Sequence, residues 1–158
     1  MGDFMKGVIM RRVVLLVATV SLLCGCNTYY VKSLPYDPEL KDVVVVHNPK
    51  VIVKDFVEVM TDEFNARKIK VRNVPQNYVS KPNEYVVHYD ARQSWDFTLY
   101  LSDATIRIIR DGMTVGKGKY HHVGRSMSLD IFTKWRGTEW KMKDLYEGLL
   151  KNYKTAND

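Results

Sequence analysis

The sequence predicts an α+β fold, with a βαβ start followed by an antiparallel β-hairpin and a C-terminal helix. Three features of the 158-residue chain support it: a run of β-branched residues, two stretches with apolar residues at helical spacing, and a segment typical of a β-hairpin. Together they indicate two helices packed on one face of a mixed, mostly antiparallel sheet. We assign this single domain to residues 42–154.

The βαβ start lies between residues 43 and 75. "VVVV" at 43–46 is typical of a strand buried on both faces, and "IKVRNVP" is a second strand that ends at Pro75. Between them a helix is predicted from about Val53 to Arg67. Its apolar stripe is Val53, Phe56, Val57, Met60 and Phe64. If both strands share a sheet, the helix makes a right-handed crossover between them.

A third strand, "EYVVHYDA", precedes the hairpin "TLYLSDATIRIIRDGMTVGKGKYHH". We place a three-residue loop at 110–112, because a two-residue turn would set Ile106 opposite Lys117 on the core face and bury an ammonium. The predicted core-face pairs are Ile108 with Thr114, Ile106 with Gly116 and Ala104 with Gly118.

The glycines of that hairpin predict a helix packed closely against it, and "TEWKMKDLYEGLLKNY" supplies one. Thr138 is its predicted N-cap. Gly148 weakens the helix by about 1 kcal/mol relative to alanine but permits close approach to the sheet. The predicted apolar stripe is Trp140 or Met142, then Leu145, Tyr146, Leu149 and Tyr153.

The N-terminal region is typical of an export signal. Arg11 and Arg12 precede an apolar run at 13–23, which is shorter than the roughly 20 residues of a membrane-spanning helix and fits a signal peptide. Met1, Met5 and Met10 are alternative starts.

The end of this run resembles the lipobox of bacterial lipoproteins, with Leu23 at −3 and Gly25 at −1 relative to Cys26. The resemblance implies cleavage after residue 25 and acyl chains on Cys26, which anchor the chain to a membrane. Asn27 favours the outer membrane, facing the periplasm, over the inner membrane. We assign residues 26–41, which lack periodicity, to the lipidated N-terminus and a tether.

Charge and cysteine content narrow the function further. The chain carries 24 Lys and Arg and 18 Asp and Glu, a net charge of +6. Removing residues 1–25 takes away three cations and one aspartate, which leaves +4. An exported, anchored protein does not meet chromosomal DNA, so nucleic acid is not an expected partner. With Cys24 removed and Cys26 acylated, no disulfide is expected.

Residues 89–132 contain a motif of spaced aromatic and small residues: Tyr89-x-Ala91-x3-Trp95-Asp96-x3-Tyr100-Leu101-x2-Ala104-x-Ile106, then Gly116-x-Gly118-x-Tyr120 and Leu129-Asp130-x-Phe132. This segment resembles a family of small Gram-negative envelope lipoproteins without assigned function. Val115 and Gly118 stand where the family usually has isoleucine and alanine, and "KWRG" enlarges the approach to the last helix. The resemblance brings no catalytic activity with it.

No catalytic, cofactor or metal site is predicted. His47, His88, His121 and His122 lack the spacing of a zinc site, and alternation puts the last two on opposite faces of a strand. Asp96 fits a turn cap better than a lone general base, and we expect Trp95 to fill the core.

One surface is a candidate for binding. The outer face of the predicted hairpin carries basic and aliphatic residues: Thr105, Arg107, Ile109, Val115, Lys117 and Lys119. We expect either a solvated face or a docking surface for another envelope protein. The alternative ligand is an anionic envelope glycolipid or glycan. The predicted function is that of a non-catalytic interaction or accessory protein, with the membrane as partner through its lipid anchor.

Overall fold

The computed structural model describes residues 28–96, 98–123 and 136–155. Its elements are β1 (Thr28–Lys32), β2 (Asp42–Val46), α1 (Phe56–Asn65), β3 (Lys70–Val74), β4 (Tyr85–Asp96), β5 (Thr98–Arg110), β6 (Met113–His121) and α2 (Thr138–Leu149). The strands form one sheet in the order β1-β6-β5-β4-β2-β3. Both helices contribute to the core on one face of it. The predicted α+β class is confirmed.

The parallel part of the sheet confirms the βαβ start. β2 pairs in parallel with β3 on one side and with β4 on the other, and α1 connects β2 to β3. Phe56, Met60 and Phe64 of the predicted stripe are fully buried in α1. The helix begins three residues later than Val53, which is itself buried.

The predicted hairpin register is wrong by two residues. The turn between β5 and β6 is a two-residue one, with Asp111 at φ 48° and Gly112 at φ 77°, the signature of a type I′ turn. Ile109 pairs with Thr114 but Ile108 pairs with Gly116, so Val115 is an extra residue in a β-bulge. The bulge shifts the phase of β6, which returns Lys117 to the outer face.

Glycines let α2 pack closely on the sheet, as predicted. A Cβ on Gly118 would lie 2.5 Å from Cδ2 of Leu145, and one on Gly148 would lie 3.2 Å from Cγ1 of Val31. The predicted stripe residues Met142, Leu145, Tyr146, Leu149 and Tyr153 are buried.

At the start of α2 the predicted N-cap is wrong, and of the two alternatives for the first residue of the apolar stripe Met142 is buried and Trp140 is not. Gly137, and not Thr138, occupies the N-cap position. The Thr138 hydroxyl donates instead to Asp55 Oδ1 at 2.8 Å, which ties α2 to the start of α1. Trp140 is 42 % exposed, whereas its neighbour Lys141 is fully buried.

The predicted tether at 26–41 is wrong for its described part, because residues 28–41 already belong to the domain. β1 pairs antiparallel with β6. Leu34 and Leu40 are both buried in the core. The Leu34 N–H donates to the Leu149 carbonyl at 2.8 Å. The two prolines of this stretch hid the alternation of β1, whose Tyr29 and Val31 pack against the core.

Candidate interaction surface on the open sheet face

The face of the sheet opposite the helices carries most of the predicted binding residues. Strand pairing and alternation place five of the six there: Thr105, Arg107, Ile109, Lys117 and Lys119. Val115 does not belong with them, because the bulge turns it toward the core, where it packs.

The register aligns basic side chains across four strands on this face. Lys32 of β1 lies opposite Lys117 of β6, Lys117 opposite Arg107 of β5, and Arg107 opposite His88 of β4. We call these four residues the basic row. The sequence alone indicates only its two central members, because Lys32 lies in the predicted tether and no sequence pattern aligns His88 with them.

The positive charge of the basic row comes from Lys32, Lys117 and Arg107. Burial, together with the charge of Arg107, lowers the pKa of His88 below its usual value, so this imidazole is largely neutral near pH 7. Lys32 Nζ donates to the Thr114 carbonyl at 2.7 Å, and Lys117 Nζ lies 5.9 Å from the Tyr30 ring centroid. Among the described residues, neither Arg107 nor Lys117 forms an ion pair with a carboxylate.

The next residues along this face have mixed charge. Asp103 and His121 are opposite each other, with Oδ1 and Nδ1 2.6 Å apart. Burial raises the pKa of Asp103, but bonds from His121 and Ser102 outweigh this and hold it below its usual value. Asp90, Arg92 and other residues near Asp103 line a shallow depression of about 230 Å³. It is too open to isolate a substrate from water.

The other half of the same face is covered by the loop between β3 and β4. Arg72 of β3 forms an ion pair with Glu84, and the Tyr78 hydroxyl donates to Glu84 at 3.0 Å. Arg72 lies opposite Val44, which is completely buried on this side of β2. The part of the face available to a partner is therefore the part that carries the basic row.

The histidines are dispersed. His47 and His121 are exposed, whereas His122 is buried, with its ring edge-on to Tyr100 at 5.4 Å. Across residues 28–96, 98–123 and 136–155, no three His, Cys, Asp or Glu side chains gather in a way that holds a metal ion. In this same part of the chain, no helix is long and apolar enough to span a bilayer.

The prediction that Trp95 fills the core is wrong. Trp95 is 72 % exposed, and it lies near the tip of the β4–β5 hairpin opposite Leu99, which is 61 % exposed. A second bulge, at Ser102, separates this tip from the rest of the sheet. The side chain of Asp96 and the predicted lipidation site Cys26 lie outside the described residues.

Comparison with known proteins gives a fold and no family. No family model matches the chain, and no curated protein matches it. Two solved structures, both of PelC dodecamers from Paraburkholderia phytofirmans, one of them a point variant, align with 16 % identity and a TM-score of 0.52. Each alignment covers 78 % of this chain and 98 % of the PelC chain. The two proteins share a fold.

Proposed function

We propose that this chain is a non-catalytic lipoprotein, anchored to the outer membrane of a bacterial envelope through acyl chains on Cys26 and facing the periplasm. Its role is that of an interaction or accessory protein. The basic flank, the short apolar run and the lipobox-like site support the anchor. The resemblance of residues 89–132 to envelope lipoproteins supports the same location.

The basic row is the observation that carries the interaction role. Three cations stand on an open sheet face, and Arg107 and Lys117 have no carboxylate paired with them in the described part of the chain. Such a surface attracts an acidic surface on another envelope protein and steers its approach. Since the PelC neighbours are dodecamers, a second copy of this chain is the first protein partner to test.

A second candidate is binding of an anionic envelope glycolipid or glycan. The same cations favour it, because Arg and Lys donate charge-assisted hydrogen bonds to phosphate and carboxylate groups. Lys119, two residues after Lys117 and on the same face of β6, would extend the contact to Thr105, which lies opposite it on β5.

Charge reversal separates the two candidates. The test variant is R107E/K117E/K119E, and the matched control is K50E/K54E/K151E, which changes three exposed lysines away from this face. We would photo-crosslink each chain in cells from position 109 and identify partners by mass spectrometry. In parallel, the purified chains would be tested on vesicles that contain lipid A.

We expect the test variant, and not the control, to lose its protein crosslinks. If it loses lipid A binding while its protein crosslinks persist, the glycolipid function replaces the first proposal. Unchanged crosslinks and unchanged lipid binding would show that the reversed charges bind neither kind of partner, and would overturn the role of the basic row.

A further inference from the structure

We infer that the tip of the β4–β5 hairpin docks onto the phospholipid bilayer beside the lipid anchor, so that the domain stands on the membrane by this end. The inference rests on the proposed acylation of Cys26. It adds a second, non-covalent contact and thereby fixes which way the basic row faces.

The β4–β5 hairpin extends beyond the part of the sheet in which β1, β6, β5 and β4 lie side by side. The last row that crosses all four strands consists of Thr28, His121, Asp103 and Arg92. From there only β4 and β5 continue, paired as far as Asp96 and Thr98. Trp95 is three residues beyond Arg92, which corresponds to about 10 Å along the strand.

This extension exposes apolar side chains because it continues beyond the two helices that the structure describes. Leu101 is buried, and Lys141 in the first turn of α2 donates to its carbonyl at 3.1 Å. Leu99 and Trp95 continue the same face of the hairpin one pair further out, where both are mostly exposed. Val123, two residues past the end of β6, is also 43 % exposed. Among the other large exposed apolar side chains of the described residues, Ile52 and Val79 lie outside the strands, and Tyr30 and Met113 are paired with the charged residues Lys119 and Arg110.

The anchor is held at this same end of the sheet. Thr28, in the last four-stranded row, is only two residues after Cys26. A fully extended chain rises at most about 3.6 Å per residue, so the Cα of Cys26 lies within about 7 Å of the Cα of Thr28. Trp95 and the acylated residue are therefore each within about 10 Å of the same row. Only Asn27 separates Cys26 from β1 in the sequence, so a membrane that holds the acyl chains lies close to Trp95.

The chemistry of the tip suits the bilayer surface. Tryptophan is enriched at membrane interfaces, where its ring is amphipathic, and an exposed leucine gains from contact with acyl chains. Arg92, exposed in the last four-stranded row, is placed to meet lipid phosphates. A lipid chain combined with such a contact holds a protein more firmly than either alone.

A site-specific spin label tests this in the full lipidated chain. The mature sequence has no cysteine other than acylated Cys26, so L99C supplies a single reactive thiol. The matched control is M113C, at an equally exposed position beside the β5–β6 turn at the opposite end of the sheet. Both are reconstituted in vesicles of phosphatidylethanolamine and phosphatidylglycerol, and collision rates are measured with oxygen and with a water-soluble nickel complex.

At position 99 we expect the label to collide more often with oxygen, which dissolves in the bilayer. At position 113 we expect it to collide more often with the nickel complex, which stays in water. If position 99 behaves like position 113, or if both reagents are excluded from it by another segment or a second copy of the chain, membrane docking is wrong. Vesicle flotation of the same samples reports the anchor separately. A chain that fails to float contradicts the proposed lipidation, whereas a chain that floats with a water-exposed position 99 contradicts only the docking.

Discussion

The two ends of the β4–β5 pair finish in opposite ways. At the closed end, where β4 begins and β5 ends, Tyr85 and Arg110 hold a segment that arrives from β1. At the hairpin end, Trp95 and Leu99 face outward. At one end the two strands thus supply polar side chains whose hydrogen-bond partners lie within the chain. At the other end they supply an apolar pair, Trp95 and Leu99, that the described chain leaves exposed. The first is structural, and the second is a surface that needs a partner.

Asp37 is the centre of the closed end. Its Oδ2 accepts hydrogen bonds from the Tyr85 hydroxyl and from Arg110 Nη1, both at 2.7 Å. Its N–H donates to the Tyr153 hydroxyl at 3.0 Å, and that hydroxyl donates to the Pro35 carbonyl at 2.8 Å. Burial, and then the bond to Asp37, raise the pKa of Tyr85 to about 12. The tyrosine therefore stays a donor at physiological pH.

Replacing one aromatic residue at each end should give the largest contrast. Tyr153 is 9 % exposed, so Y153A opens a cavity and removes two hydrogen bonds. We expect a loss of about 3 kcal/mol in the free energy of unfolding. W95A, at an exposed position, should change it by less than about 0.5 kcal/mol. Urea denaturation of the lipidated chains in micelles, followed by circular dichroism, measures both. A large loss for W95A would place Trp95 in the core after all.

Substitution of two glycines, one at the closed end and one at the start of α2, separates backbone strain from side-chain crowding. Gly112, in the turn at the closed end, has φ 77° and nothing within 4 Å of an added Cβ. G112A should cost about 1 kcal/mol through backbone strain alone. Gly137, the N-cap of α2, has equal space but φ −59°. G137A should stay within about 0.5 kcal/mol, because a lower unfolded-state entropy offsets the poorer cap. Equal losses in urea denaturation would contradict the two-residue turn.

The closed end should also respond to acid. The hydrogen bond from Tyr85, above all, lowers the pKa of Asp37 below its usual value of 3.8. The folded state therefore gains stability from this carboxylate above pH 3.8 and loses it as the pH falls through the lower, folded-state pKa. We expect D37N to be less stable than the wild type near neutral pH and the gap to narrow in strong acid.

Urea midpoints of both chains, from about pH 6 down to about pH 2, measure this gap. Asp103 and Glu84, whose pKa values are also lowered, are present in both chains and cancel in the comparison. A gap that is constant over this range would show that Asp37 does not contribute through its charge.

Local patterns in the sequence determined much of this protein. The helical spacing of Phe56, Met60 and Phe64 gave α1, and the run at 43–46 gave a strand buried on both faces. Glycines at 116 and 118 indicated a closely packed helix. The lipobox-like site at Cys26 is likewise a local pattern, and it stays a prediction. Each of these patterns consists of residues that are close together in the chain, so it is visible in the sequence before the tertiary contacts are known.

Only the tertiary structure decided the register, the extent of the sheet and the exposure of Trp95. Which side chains of β6 face the core depends on one bulged residue, Val115. The pairs that β6 forms with β5 compensate for the hydrogen bonding that the bulge disrupts. β1 exists because β6 offers it an edge. Trp95 is exposed because the hairpin extends past the first turn of α2, which contacts Leu101. Register, sheet extent and exposure depend on where elements distant in the chain begin and end, so a local sequence pattern does not predict them.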